Sequence, residues 1–353
     1  MSKMLPFILR LVLDQGFITA AAAVILDHSA DELCCTNLPL TNLSLSSFLF
    51  DTIAEFSSST APSTFAVVGT PTKAIKRKRQ HFRRTRHALI EELTLLLSGV
   101  RSSYLYDAGA LTENGANALL TLLRIRSQQS LQQHLALAIQ DLVVLTMGED
   151  DVVFFVRRNA TVRRLSNMLN HGTYCPALVD VSPKLDRPVL VDWSDHTKTN
   201  GLKNTMQNLL SLLQQTKAKS PSVKLESPYV LQQMTAIVGI LLEYPVVYGM
   251  FKTVDDDDED THSGNCVAAD TLCQRRLEWT PTTILSQLDN SPSILPPVLP
   301  WSFTVPKPLT RNIEVRRAIA LFFVAVARRC RKSRGIGTLE WIIVEIDVPS
   351  VCL

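Results

Sequence analysis

Two carboxylates follow short apolar segments whose patterns predict β-strands. Asp107 ends the segment SYLYD, and Asp180, followed by Ser182, lies near the end of ALVDVS; turn-forming residues come next in both cases. Ligands of open α/β sheets collect outside the carboxyl ends of the strands, so these positions are the first candidates for a site. If the two strands share a sheet, right-handed crossovers place both carboxylates at one edge, where they could bind a metal ion or act as acid and base. The alternative is that each carboxylate caps the turn or helix that follows it.

Four further side chains are candidates for contacting a ligand. Tyr106 lies on the first of these predicted strands, where packing and substrate stacking are the alternatives. Tyr248 precedes a glycine, which permits close approach of a ligand or marks a β-bulge. Asn265 and Cys266 lie together, so a thiol nucleophile is considered, but the sequence positions no base beside it. A cysteine is by default a small buried hydrophobe.

Common catalytic and cofactor motifs are absent from the sequence. Residues 335–340 (GIGTLE) offer only GxG and lead into a predicted strand, so they form neither a dinucleotide fingerprint nor a P-loop. The cluster of His262, Cys266 and Cys273 lacks a fourth nitrogen or sulfur ligand nearby, and we therefore assign no metal site. The run Asp255–Asp260 is interpreted as a solvated acidic loop, because consecutive carboxylates cannot all face one ion. The cofactor, if there is one, is unknown.

The charge of the chain is small in total but unevenly distributed. Hydrophobic residues make up 46% and charged residues 20% of the 353 residues, and the formal net charge is +3. These values are typical of a folding chain and do not by themselves indicate a nucleic-acid or membrane partner. The positive charge concentrates at residues 73–87 (KAIKRKRQHFRRTRH). This basic run is either a nuclear-import signal or nucleic-acid contact, or the solvated start of a helix.

The apolar N-terminus does not fit a membrane span. Between Met4 and Leu26 it is interrupted by two charged residues, a proline and a glycine, so no run reaches the ~20 residues of a spanning helix. Nor does it have the unbroken core and cleavage site of a secretory signal. The seven cysteines are irregularly spaced, and we expect reduced thiols rather than disulfides. We therefore predict a location in the nucleus or the cytoplasm.

The pattern of apolar residues divides the chain in two. Residues 27–75 are rich in Ser, Thr, Asn and Pro without a sustained period, and we predict a largely disordered extension over 1–82. From residue 83 the apolar spacing predicts a helix that ends at Ser98-Gly99. Short apolar runs and helical stretches then alternate to the end of the chain. We predict a single α/β (or α+β) domain over 83–353, with a mixed β-sheet and flanking helices.

Five segments carry a resemblance to a known family. They are SYLYDAGA at 103–110, ALVDVS at 177–182, VGILLEYPVVYGMF at 238–251, GNCVAADTLCQRRLEW at 264–279 and PWSFTVPKPL at 300–309. In this order they resemble the animal proteins named only after an open reading frame on human chromosome 1, classed as a domain of unknown function. The long N-terminal head and the acidic run at 255–260 depart from that family. The resemblance implies no reaction, cofactor or catalytic residue.

Two functional hypotheses follow from the residues. The first is a soluble intracellular interaction or regulatory protein with protein partners, in which nucleic-acid binding depends on the basic run 73–87. The second is a metal-assisted hydrolase or transferase that uses Asp107 and Asp180, because such enzymes need no short signature. A deep pocket that holds both carboxylates favours the enzyme, and an exposed surface suited to a partner favours the interaction protein.

Overall fold

A four-stranded sheet covered by helices on both faces forms the centre of the fold. The computed structural model describes residues 42–60, 88–106, 111–129, 133–148, 152–182, 185, 187–216, 222–226, 230–251, 272–281, 298–332 and 337–345. All of these residues fall within one unit, Leu40–Leu353.

Eight α-helices and one short 3-10 helix, Lys307–Leu309, are described. The α-helices are α1 Asn42–Thr60, α2 88–97, α3 Glu113–Gln129, α4 Gln133–Gln140, α5 Arg158–His171, α6 His196–Gln215, α7 Val230–Leu241 and α8 Ile313–Lys332. In this part of the chain no helix is both long and apolar enough to cross a membrane.

Ten described strands form three sheets. The strands are β1 Ser103–Leu105, β2 Leu142–Met147, β3 Val152–Arg157, β4 Ala177–Asp180, β5 Val189–Val191, β6 Ser222–Leu225, β7 Val246–Gly249, β8 Leu272–Pro281, β9 Val298–Pro306 and β10 Gly337–Glu345. The first sheet has the order β1-β3-β2-β6, the second β5-β4-β7 and the third β10-β8-β9. The β2–β6 and β4–β7 pairs are parallel, and the other pairs are antiparallel.

The first sheet is buried on both faces because its central strand is apolar throughout. All six residues of β2 are buried. Val143, Leu145 and Met147 lie in one apolar cluster with α5, α6 and α7. Leu142 and Val144 lie in a second cluster with α1 to α4. The alternation of side chains along a strand thus divides the core into two layers.

A third apolar cluster joins the second and third sheets to α8. Alternate residues of β4 face different clusters: Leu178 belongs to the first cluster, whereas Val179 belongs to the third. Trp301 and Phe303 of β9 are buried against Phe322 of α8, with edge-to-face ring centroids 5.7 and 5.9 Å apart. The β4–β7 pair therefore lies between the helical core and the C-terminal half of the chain.

The predicted fold class is confirmed, because the structure combines helices with mixed and antiparallel sheets. The strands predicted from apolar runs are present, although they fall into three sheets rather than one. Helix α4 and the short strands β5 and β6 were not predicted.

One segment of the predicted N-terminal extension is a helix in the structure. Residues 42–60 form α1, and Leu45, Leu49 and Ile53 are 2%, 0% and 1% exposed in the second cluster. Their spacing of four residues places them on one face of a helix, where they pack against the first sheet's helical layer. The rest of the predicted extension, including the basic run 73–87, lies outside the described residues.

Candidate functional site

Asp180 ends β4 beside the end of its parallel neighbour β7. The residue is 3% exposed, and one carboxylate oxygen, Oδ1, accepts three hydrogen bonds. This oxygen accepts from Ser182 N at 3.0 Å, from Ser182 Oγ at 2.5 Å and from Phe251 N at 3.4 Å. The strand ends are joined further by a bond from Val181 N to Gly249 O at 3.0 Å. The carboxylate therefore caps two adjoining turns, as the structural alternative in the sequence analysis expected.

The structure contradicts the expectation that the strands before Asp107 and Asp180 belong to one sheet. The strand before Asp107, β1, is an edge strand of the first sheet, whereas Asp180 ends β4 of the second sheet. Asp107 itself lies outside the described residues. Similar apolar strands followed by turns predicted parallel neighbours, but β1 pairs antiparallel with β3 and has no parallel neighbour among the described strands. The proposed site with two paired carboxylates required that both strands end at one edge of the same sheet, and the structure does not have this arrangement.

The two candidate tyrosines have packing roles where the structure describes them. Tyr248 Oη lies 2.8 Å from Thr304 O, to which it donates, so it links β7 to β9. Burial raises the pKa of Tyr248 above its usual value, although the Thr304 contact lowers it in part, so the phenol stays protonated. Tyr106 is half-buried and contacts Tyr104 edge-to-face, with centroids 6.4 Å apart.

Asn265 and Cys266, where a thiol nucleophile was considered, lie outside the described residues. Two other cysteines, Cys175 and Cys330, are free thiols. Burial raises the pKa of each to about 11, against smaller opposite effects of Lys203 and Arg329 respectively. A thiol with this pKa is almost entirely protonated at neutral pH, which makes it a poor nucleophile.

A buried ionic cluster that is not among the residues predicted from the sequence lies where α7 ends. We call Ser102, Arg164, Glu243 and Arg329 the Glu243 latch. Glu243 Oε1 accepts hydrogen bonds from Ser102 N at 2.9 Å and from Ser102 Oγ, and Glu243 Oε2 lies 2.5 Å from Arg329 Nη2. Arg164 donates to the last carbonyls of α7, those of Ile240 and Leu241. The latch joins the α2–β1 loop, α5, α7 and α8.

The Glu243 latch combines an unusual backbone with a strongly stabilised charge. Glu243 has a φ of 65°, a left-handed conformation that normally favours glycine at the end of a helix. Its side chain is 7% exposed. Burial raises the pKa of its carboxyl, but the charges of Arg329 and Arg164 and the hydrogen bonds outweigh burial and lower it to about 2. The side chain is thus ionised at every physiological pH.

A second buried ionic group lies between α2 and β9. Arg101 Nη1 is 2.5 Å from Glu92 Oε2, and the guanidinium lies over the Trp301 ring, 5.2 Å from its centroid. The neighbouring Glu91 is 6% exposed. Burial, together with the negative charge of Glu92, raises the pKa of Glu91 to about 8. Glu91 therefore carries its proton at neutral pH.

One sequence signal pointed to the Glu243 latch. Glu243 is the only charged residue in the apolar run VGILLEYPVV. Burying a carboxylate without a charged or hydrogen-bonding partner costs free energy, so a partner was to be expected. No comparable signal exists for Glu91, because apolar spacing in α2 places it on the predicted polar face. In the structure Glu91, Glu92 and Thr94 are nevertheless buried, and Leu95, one turn after Glu91, belongs to the third cluster.

Neither ionic group has the donor set of a metal centre. Within the described ranges, no group of three or more His, Cys, Asp or Glu side chains is arranged to hold a metal ion. His262 and Cys266, to which the sequence assigned no metal site, lie outside those ranges.

The fold and these contacts define an α+β protein with a helix-covered first sheet and buried ionic links between its layers. A family model described as a domain of unknown function (DUF4504) matches residues 72–353, and the chain belongs to this family. This confirms the expected membership of an uncharacterised family. A comparison with curated proteins and a comparison with solved structures gave no match.

Proposed function

We propose that this chain is an interaction protein that binds an extended segment of a protein partner at the edge of its third sheet. The observation that carries the proposal is the position of β10. This strand has nine residues, each paired with a residue of β8, and it ends the order β10-β8-β9. In the described part of the chain, its outer edge has no strand partner.

The chemistry of such an edge suits strand addition. Alternate N–H and C=O groups of an edge strand point away from the sheet, ready to pair with another chain. Proteins usually blunt long edges with proline, lysine or a bulge, but the sequence of β10, GTLEWIIVE, has neither proline nor lysine. Its pairing with β8 is continuous from Gly337 to Glu345, without a bulge. A partner strand would gain main-chain hydrogen bonds along this edge.

Two adjacent proline substitutions test the edge. Because N–H groups alternate in direction, one of Ile342→Pro and Ile343→Pro removes a hydrogen bond to β8, and the other removes only an outward N–H. The inward variant should lower the melting temperature, and the outward variant should melt close to the wild type. We expect the outward variant to bind partner proteins roughly tenfold more weakly, measured by quantitative mass spectrometry of proteins retained from cell extract.

The matched control is Ile→Val at the outward position, which keeps the N–H and most of the side chain. It should retain the wild-type partner set. Retention of the same set by the outward proline variant would contradict the proposal.

We also propose a nuclear or cytoplasmic location and a part for the basic run 73–87 in nuclear import. Replacing Lys76, Arg77, Lys78 and Arg79 with Ala should move a fluorescent fusion of the full chain toward the cytoplasm, because import signals are recognised through clustered positive charge. The nuclear-to-cytoplasmic fluorescence ratio is the measurement. An unchanged ratio would contradict a role in import and would favour the alternative that the basic run is the solvated start of a helix.

We also propose the family identity, the domain boundary and the possible nucleic-acid partner that the sequence indicates. The order of the five matching segments supports identity of this family with the animal family named after an open reading frame on human chromosome 1. The alternation of strands and helices supports one domain beginning near residue 83, to which α1 is added by packing. Nucleic acid, as a further partner, is supported only by the basic run.

A further inference from the structure

Two strongly exposed large apolar side chains lie on neighbouring helices. Ile125 of α3 and Leu137 of α4 are 50% and 61% exposed. The two helices pack against each other and are joined by only three residues, 130–132, so they run antiparallel as an αα-hairpin. Ile125 stands four residues before the end of α3, and Leu137 stands four residues after the start of α4. The two side chains therefore lie at the same level of the hairpin.

Both side chains point away from the core. Ile125 lies two positions after buried Leu123, and Leu137 lies two positions from both Leu135 and Ile139, which are also buried. Two positions on an α-helix correspond to a rotation of about 200°. Leu123, Leu135 and Ile139 belong to the second cluster, so Ile125 and Leu137 lie on the side of the hairpin opposite to that cluster. We call the outer surface around Ala118, Ile125 and Leu137 the hairpin face.

The hairpin face carries no charged side chain among the described residues of α3 and α4. Every exposed residue of these helices is Asn, Thr, Gln, Ala, Ile or Leu. Arg124 is half-buried and donates to Leu142 O at 2.8 Å. Arg126 is half-buried too, and it pairs with Glu55 of α1. Glu113, the remaining charged residue of α3, is half-buried in its first turn, and α4 has no Asp, Glu, Lys or Arg.

This composition is unlike that of an ordinary protein surface. Charged residues make up 20% of the whole chain, and surfaces in contact with water are usually richer in charge than the chain as a whole. Depletion of charge around exposed apolar side chains is typical of the centre of a protein–protein interface. The hairpin face is therefore a candidate contact surface.

We propose that the hairpin face binds a second copy of this chain across a two-fold axis that passes beside Ile125 and Leu137. A two-fold contact places the same residues of both copies against each other, so a charged face would repel itself, whereas an uncharged apolar face does not. An acidic or basic partner would find no opposite charge on this face, and an anionic lipid surface would find no Lys or Arg. Two αα-hairpins that meet in this way form a four-helix arrangement. The contact is separate from strand addition, because the hairpin packs on the first sheet and β10 belongs to the third.

The size of the hairpin face limits the strength of the dimer. Helix α3 has 17 residues and α4 has 8. At about 1.5 Å per residue and about 10 Å between helix axes, the two helices offer roughly 500 Å² per copy, or about 1,000 Å² in a dimer. This area is at the lower limit of specific interfaces. We therefore expect a reversible dimer with a dissociation constant in the micromolar range.

The test is analytical ultracentrifugation of the full-length protein at a series of micromolar concentrations. We expect the average mass to rise from that of one chain toward that of two. Leu137→Lys should weaken dimerisation roughly tenfold or more, because it brings two like charges together at the axis and removes them from water. Its melting temperature at low concentration should equal that of the wild type, because Leu137 is 61% exposed. Ile313→Lys makes a similar change at a position of α8 that is 58% exposed, and this matched control should dimerise like the wild type.

A charge-pairing experiment tests the two-fold arrangement itself. Leu137→Lys and Leu137→Glu should each be largely monomeric, and an equimolar mixture of the two should dimerise more strongly than either alone, because opposite charges then face each other. A mixture that dimerises no better than its components would overturn the proposal. So would a wild type that is monomeric at every concentration, or a Leu137→Lys variant that dimerises like the wild type.

Two further outcomes would assign the contact elsewhere. A dimer that is lost in the outward proline variant of β10 but kept in Leu137→Lys would overturn the proposal in favour of pairing between third sheets. Binding of neutral phosphatidylcholine vesicles by a monomeric wild type, with loss of that binding in Leu137→Lys, would overturn it in favour of a membrane surface.

Discussion

Replacing Glu243 with alanine should lower the free energy of unfolding by about 3–5 kcal/mol. The change removes the carboxylate that pairs with Arg329 and accepts two hydrogen bonds from Ser102, so it leaves positive charge buried without compensation. Denaturant unfolding followed by circular dichroism gives the measurement.

Two companion substitutions separate the causes of that loss. Glu243→Gln keeps an acceptor for Ser102 but removes the charge, and we expect it to lose most of the same stability because the ion pair is the larger contribution. Glu314→Gln breaks an exposed pair with Arg317, whose side chains are 58% and 64% exposed, and should change stability by less than about 1 kcal/mol. Equal effects of Glu243→Gln and Glu314→Gln would contradict the assigned role of the latch.

The same carboxylate should make stability depend on pH in the acid range. The pKa of Glu243 is about 2 in the folded protein, below its ordinary value of 4.5, so the unfolded chain binds the proton more readily. The stabilisation that ionised Glu243 provides is therefore present in full above about pH 4.5, and it is lost as the pH falls toward 2. The acid loss should be smaller in Glu243→Gln than in the wild type.

Deleting residues 1–82 should abolish cooperative unfolding. The deletion removes α1, whose Leu45, Leu49 and Ile53 are almost fully buried in the second cluster. Burial of three such side chains contributes roughly 1.5–3 kcal/mol each, which is comparable with the whole stability of many domains. A fragment that begins at residue 83 should therefore lack a sharp thermal transition.

A point substitution in α1 checks the same packing without changing the chain length. Leu49→Ala should lower the free energy of unfolding by about 2–5 kcal/mol, because Leu49 is 0% exposed. Asp51→Ala, at an exposed position of the same helix, is the control and should have little effect. A cooperative transition in the deleted fragment, with wild-type midpoint, would show that α1 is dispensable.

Local patterns predicted the elements with long periodic or apolar segments. Regular apolar spacing predicts a strand over Val152–Val156 and a helix over Val315–Arg329. The structure has β3 and α8 there, one to three residues longer at their ends. Helix α1 was missed because its serines and threonines resemble a linker, although Leu45, Leu49 and Ile53 recur every four residues. Strands β5 and β6 have three and four residues, too few to establish a period.

Sheet membership and the ionic contacts depend on long-range packing, which a local pattern does not contain. The patterns before Asp107 and Asp180 are alike, yet β1 and β4 belong to different sheets. The capping of a turn by Asp180 was foreseen as an alternative, because it involves only nearby backbone groups. The contact of Ser102 with Glu243 spans 141 positions in the chain and has no counterpart in local sequence.

Glu91 and Glu243 give the fold an optimum of stability on the acid side of neutrality. The folded pKa of Glu91, about 8, lies above its ordinary 4.5, so folding takes up a proton between these values and stability falls as pH rises through them. Glu243 has the opposite effect below pH 4.5. The two contributions are jointly most favourable near pH 4.5, so alkalinisation lowers stability through the buried Glu91 of α2, while the Glu243 latch remains fully formed.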